Sequence, residues 1–106
     1  MIMRVMRILL FYDLPMTTAQ EQKIYRIFHK NIEKEGFVQM QESVYTKIAL
    51  NLQMAKASIE RLKKIVPSNA LVQVLTITEK QYASMECIAG KYRTNHVDVL
   101  DRLIII

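Results

Sequence analysis

The sequence predicts an α+β domain in which one sheet carries two helices on a single face. Three observations lead there. Residues 4–12 form a strand-like run rich in Val, Ile and aromatics that ends at Asp13-Leu14-Pro15, residues 17–35 and 51–66 repeat their apolar side chains at helical spacing, and residues 71–78 are a β-branched run.

Taken in order, RVMRILLFY at 4–12 reads as a strand. Met6, Ile8, Leu10 and Tyr12 point one way, and Val5, Leu9 and Phe11 the other, so both faces need cover. Pro15 has no amide to give a ladder, so the strand should stop just after Asp13. Over 17–35, either Thr17 with Gln20 or Thr18 with Glu21 has capping-box spacing. Ile24, Ile27, Phe28 and Ile32 form the apolar stripe, and Gly36 suits the stop. FVQMQESVYTKIAL at 37–50 reads as two short strands bent around Gln41 to Ser43. Leu52, Ala55, Ile59, Leu62 and Val66 share a face of the second helix, which Pro67-Ser68-Asn69 ends. LVQVLTIT at 71–78 is the next strand. Thr78 and Gln81 then open a helix that should bury Tyr82, Met85 and Ile88 or Ala89 and stop near Gly90. The chain closes on Leu103 and three isoleucines, a strand-like end.

This order is a ferredoxin-like βαββαβ sandwich over residues 1–90, extended by the extra helix and a last strand, with 91–106 as a C-terminal tail. The first strand has an apolar second face, and the tail is apolar too. Both expect a homodimer paired through the sheets, with tails crossing to the partner's edge.

Composition narrows the classes. At 106 residues there is room for one core, and 51% hydrophobic content with two glycines and two prolines argues against disorder. Cys87, the single cysteine, excludes an internal disulfide and fits a cytoplasmic protein. Residues 65–78, the longest stretch without a charge, are too short and broken to span a bilayer, so no membrane role is expected. The net charge of +5 falls in residues 1–66, which carry 11 Lys/Arg against 6 Asp/Glu. Such an excess suits a polyanion, or simply solubility. Lys23, Arg26, Lys30 and Lys34 recur every three or four residues and form one ridge, either a solvated helix face or a phosphate contact.

Most catalytic patterns are missing: no Gly-rich phosphate loop, no paired cysteines, no His-Glu-x-x-His. His29 and His96 read as ordinary surface or satisfied histidines, Cys87 as a small helix-packing residue, the seven methionines as core filler and Ser43 as part of the hairpin. Asp13 stands out. It is a turn former before Leu-Pro, or an acid at the rim of a sheet. One carboxylate is a thin magnesium site, but a dimer axis near the strand ends would bring two Asp13 residues together around a metal that polarises a phosphodiester.

A first strand ending in Tyr-Asp-Leu-Pro, a basic helix, and then GFVQMQESVYTK resemble the smaller of the two universal CRISPR adaptation proteins, the Cas-two family. Gly36, Gln41, Ser43, Val44 and Tyr45 match its Gly-to-Gln-x-Ser-Val pattern, and LTITEKQY at 75–82 is similar to the branch found with type II-A systems. The resemblance covers roughly residues 6–90. It implies a ferredoxin-like homodimer that bridges dimers of the CRISPR integrase during spacer acquisition and binds DNA. It also implies a metal-dependent endonuclease acting on RNA or double-stranded DNA, with Asp13 as catalytic residue and Mg²⁺ ligand and Ser43 near the active region. The tail would then dock on the partner subunit or the integrase. The loop LPMTTA lacks the arginines that some relatives place there, so Lys23, Arg26, Lys30 and Lys34, with Arg4 and Arg7, become the nucleic-acid-binding candidates. Two alternatives stay open: a non-catalytic DNA scaffold, and a toxin-type ribonuclease or ligand-binding domain on the same fold.

Overall fold

A computed structural model of the chain describes residues 4–90. Its elements are β1 (Met6–Asp13), α1 (Ala19–Lys34), β2 (Val38–Gln41), β3 (Val44–Ala49), α2 (Leu52–Lys63), β4 (Leu71–Thr78) and α3 (Glu79–Ala83). The four strands form one sheet in the order β2-β3-β1-β4. Every neighbouring pair is antiparallel. Each long helix therefore crosses over one intervening strand, which is the split βαβ arrangement of the ferredoxin-like fold.

Strand alternation decides what each face does. Met6, Ile8, Leu10 and Tyr12 enter one core with Phe28 and Ile32 of α1, Ala55 and Leu62 of α2, and Tyr45 and Ala49 of β3. Burying each large side chain there contributes ~1.5–3 kcal/mol before entropic losses. Helix α1 starts at the second of the two expected boxes: Thr18 Oγ1 accepts from the Glu21 amide while Glu21 Oε1 accepts from the Thr18 amide. It ends in a Schellman turn. Gly36 at φ +102° lets the Gly36 and Phe37 amides donate to the Glu33 and Ile32 carbonyls. Glu35, the C-cap residue, ties three elements together by accepting from Lys47 Nζ of β3 at 3.0 Å and Arg61 Nε of α2 at 2.8 Å.

Several sequence expectations need correction. Ile27 is not a core residue: it is half exposed, because the buried arc of α1 centres on Phe28 and Ile32. Leu52 is also half exposed, and Ser58 takes a buried place on α2 because its Oγ accepts from Lys47 Nζ at 2.7 Å. Helix α3 has five residues and buries none of them, so Met85 and Ile88 are exposed rather than packed. Ser84 caps it early, its hydroxyl donating to the Gln81 carbonyl at 2.6 Å in competition with a further turn. Cys87 lies beyond that end and is exposed. Met6 is in the core, whereas Met16, Met54 and Met85 are not. The expected last strand, His96 and the tail fall outside the described residues.

The opposite face of the sheet carries Leu9, Phe11 and Asp13 of β1, opposed across β4 by Leu75, Gln73 and Leu71. Phe11, Leu71 and Leu75 are exposed apolar residues on this face. Arg7 lies here too, fully buried. Its guanidinium pairs with Glu79, with Nε donating at 2.8 Å, and sits 3.9 Å from the centre of the Tyr82 ring. No helix of the described residues is long and apolar enough to cross a membrane.

Candidate functional site

Asp13 is the last residue of β1 and is exposed. By alternation it shares the face opposite the core with Leu9, which is buried, and Phe11, which is exposed. The next strand turns beside it: the Tyr12 amide donates to the Ser43 carbonyl at 3.2 Å, bringing the Glu42-Ser43 turn next to the end of β1. Ser43 itself is exposed. Leu14 is buried, and Pro15 prevents the strand from continuing. Asp13 thus stands at a rim fixed on both sides, by β4 through its pairing with Leu71 and by the β2–β3 turn.

Behind this rim is a polar cluster that the sequence reading missed. The Tyr12 and Tyr25 hydroxyls are 3.0 Å apart, and the Tyr12 hydroxyl also donates to the Glu42 carbonyl at 3.5 Å. The Tyr45 hydroxyl hydrogen-bonds His29 Nδ1, while His29 Nε2 lies 3.5 Å from a Glu33 carboxylate oxygen. His29 is therefore a satisfied histidine, as read. Burial first, then the Tyr25 and Tyr45 hydroxyls, push the Tyr12 phenol well above its ordinary value. The Tyr12 hydroxyl is a neutral partner of Tyr25 beside the turn, and the backbone bond from the Tyr12 amide to the Ser43 carbonyl is what holds the turn next to Asp13. The one sequence signal for this cluster is an inward-pointing tyrosine, because a buried hydroxyl must find a partner.

The basic candidates separate. Lys23, Arg26, Lys30 and Lys34 are all exposed on α1, and the ridge is about 16 Å long at ~1.5 Å per residue. Helix α1 covers the core face of the sheet, so the ridge faces away from it, on the opposite side of the domain from Asp13. Arg4 is exposed two residues before β1, about 30 Å from Asp13 at ~3.3 Å per residue. Arg7 is withdrawn as a phosphate contact, since its side chain is buried and engaged by Glu79 and Tyr82. Acid and cations do not converge on one phosphate within a subunit. Among the described residues, no three His, Cys, Asp or Glu side chains gather to hold a metal ion.

A family model described as CRISPR associated protein Cas2 matches residues 6–85, which spans the described sheet and all three helices. The chain belongs to the Cas2 family. It is 41% identical over 101 residues to a protein of Treponema denticola, covering 95% of this chain and 100% of that one. To a Ligilactobacillus salivarius protein it is 42% identical over 86 residues, covering 81% and 85% of the two chains. A Streptococcus mutans protein is 41% identical over 99 residues, covering 93% and 91%. All three relatives are named CRISPR-associated endoribonuclease Cas2. The Cas2 match includes Asp13, the β2–β3 turn and the α1 ridge.

Proposed function

We propose that this Cas2 protein is a cytoplasmic, homodimeric, metal-dependent endonuclease of the CRISPR adaptation machinery, cleaving phosphodiesters of RNA or double-stranded DNA. The observation that carries the reading is the place of Asp13: an exposed carboxylate at a strand end, on the face where Phe11, Leu71 and Leu75 are uncovered. The relatives' shared name as endoribonucleases supports it.

Pairing two such faces would cover the exposed apolar residues, with the sheets ~10 Å apart, and would set the two Asp13 carboxylates near a common axis. One carboxylate from each subunit fits a magnesium ion, which takes one or two carboxylates and keeps several waters and phosphate oxygens as its other ligands. Bound there, magnesium supplies Lewis acidity toward the phosphoryl oxygen and a more acidic water. The protein's own residues hold and orient. Asp13 provides the anionic oxygens, and without a cation two facing carboxylates would repel, so one would retain its proton. The Tyr12 amide, donating to the Ser43 carbonyl, holds the turn that flanks the acid.

Asp13→Asn tests this. Cleavage of labelled RNA and duplex DNA is measured with magnesium and with chelator, and the variant should lose magnesium-dependent cleavage while remaining folded. Cleavage by pure variant at the wild-type rate rejects the assignment.

The separation of ridge and acid favours a second role beside the first. Lys23, Arg26, Lys30 and Lys34, with Arg4 as a further contact, would hold a DNA backbone on the outer surface while the dimer bridges copies of the CRISPR integrase. Such binding is indifferent to sequence and falls steeply with salt. Lys23→Glu with Arg26→Glu should weaken duplex binding in the presence of the integrase and flatten the salt dependence. Unchanged binding removes the ridge from this role.

A further inference from the structure

A groove of about 350 Å³ runs between α1 and the connection from α2 to β4. Its walls include Ile24, Ile27 and Phe28 on one side and Lys64, Ile65 and Val66 on the other. Phe28 is buried and makes a fixed floor, while Ile27 is 50% exposed at the edge. Lys23 lies four residues before Ile27 and Lys30 three after it, so both stand on the same helix face, and both are exposed. Lys64 is exposed on the facing wall. No carboxylate lines the groove. Pro67, Ser68 and Asn69 complete the lining, so the result is a largely apolar slot with cations beside both walls.

That combination selects among occupants. A phosphate backbone would use the lysines but gain nothing from covering Ile27. A nucleobase binds by stacking on an exposed aromatic or arginine plane, and the aromatic ring here, Phe28, is buried beneath the aliphatic edge. A basic segment would be repelled. We infer that the α1/α2–β4 groove is a docking site for an acidic amphipathic segment of a partner protein. Its apolar side chains, spaced three and four apart, would cover Ile27 and Val66 while its carboxylates face Lys23, Lys30 and Lys64. This is the helix-in-groove mode of recognition. It is independent of the role of Asp13. Lys64 belongs to the slot alone, whereas Lys23 and Lys30 stand on both the slot and the ridge, so nucleic acid and the acidic segment would compete for those two lysines.

The test uses the full chain and a fluorescent synthetic peptide with leucines along one helical face and glutamates elsewhere. Binding is read by anisotropy, and its location by shifts of isoleucine and valine methyl resonances. The glutamate peptide should bind and shift the Ile27, Ile65 and Val66 methyls, and its lysine counterpart should not. Ile27→Ser, at a half-exposed position, should weaken binding roughly tenfold through lost apolar burial and leave duplex DNA binding unchanged. Lys64→Glu should weaken the peptide as well, which keeps the inference testable should Ile27→Ser fold poorly. Equal binding of the lysine peptide, methyl shifts elsewhere, wild-type affinity in Ile27→Ser or Lys64→Glu, or an oligothymidylate that shifts the same methyls more strongly than the peptide would each overturn it.

Discussion

Replacing Glu35 by Gln removes one charge from the junction of α1, β3 and α2 and keeps the side-chain volume. In the wild type, Glu35 accepts from Lys47 Nζ at 3.0 Å and from Arg61 Nε at 2.8 Å. The Glu35 and Lys47 side chains are 16% and 18% exposed, and Arg61 is 54% exposed. The Arg61 pairing is therefore screened by solvent and contributes little. Breaking a fully buried pair costs ~3–5 kcal/mol. Lys47 keeps some solvent and its bond to Ser58, so its share is about 1–2 kcal/mol. The expected loss is about 1–2 kcal/mol, or roughly 5–10 °C in Tm for a domain of this size.

The pH dependence sharpens this test. Hydrogen bonding from Arg61, and then from Lys47, holds the Glu35 carboxyl below its ordinary 4.5, against the opposing effect of partial burial. A lowered folded value means the contribution is complete above the ordinary value and is lost as pH falls through the lowered one. Urea unfolding at fixed protein concentration should therefore show a constant gap between wild type and variant from about pH 7 to about pH 5, closing under stronger acid. A gap below about 0.5 kcal/mol at neutral pH, or one that persists unchanged into strong acid, would refute the clamp.

Other substitutions probe other joints. Gly36→Ala forces a side chain into φ +102°, and its Cβ would meet Lys47 Cε at 3.2 Å on a side chain that Glu35 and Ser58 hold in place. Backbone strain alone should cost about 1–2 kcal/mol by chemical denaturation, and displacing Lys47 from its partners should add to it. Glu79→Gln weakens the partner of fully buried Arg7, and because Glu79 is 23% exposed the loss should be about 2–3 kcal/mol rather than the full value for a buried pair. Phe11→Asp, on the uncovered sheet face, should leave the subunit folded by circular dichroism and shift sedimentation to the monomer. A dimer that survives it places the pairing surface elsewhere.

What the sequence showed clearly was what local signals mark. β4 was read at its full extent because Pro67-Ser68-Asn69 closes one side and the Thr78-to-Gln81 box the other. Gly36 was legible because the end of a helix needs a positive φ. Arg7 was not, since a charged residue in a strand looks exposed until Glu79, 72 residues away, is brought beside it. Ile27 misled because its angular position on α1 lies just outside the arc that the sheet covers. For the site, Asp13 stood out by chemistry alone, whereas Tyr12, Tyr25, Tyr45 and His29 become a network only when α1 is laid across β1 and β3.

The sheet standing between Asp13 and the α1 lysines has a consequence for traffic. In a pair of subunits joined at their open faces, both carboxylates would be enclosed at the seam and both lysine rows would look outward. A duplex cradled by the lysines would then be shielded from hydrolysis by the thickness of the protein carrying it. Such a molecule would be able to ferry one polynucleotide intact while cutting another that threads into the seam.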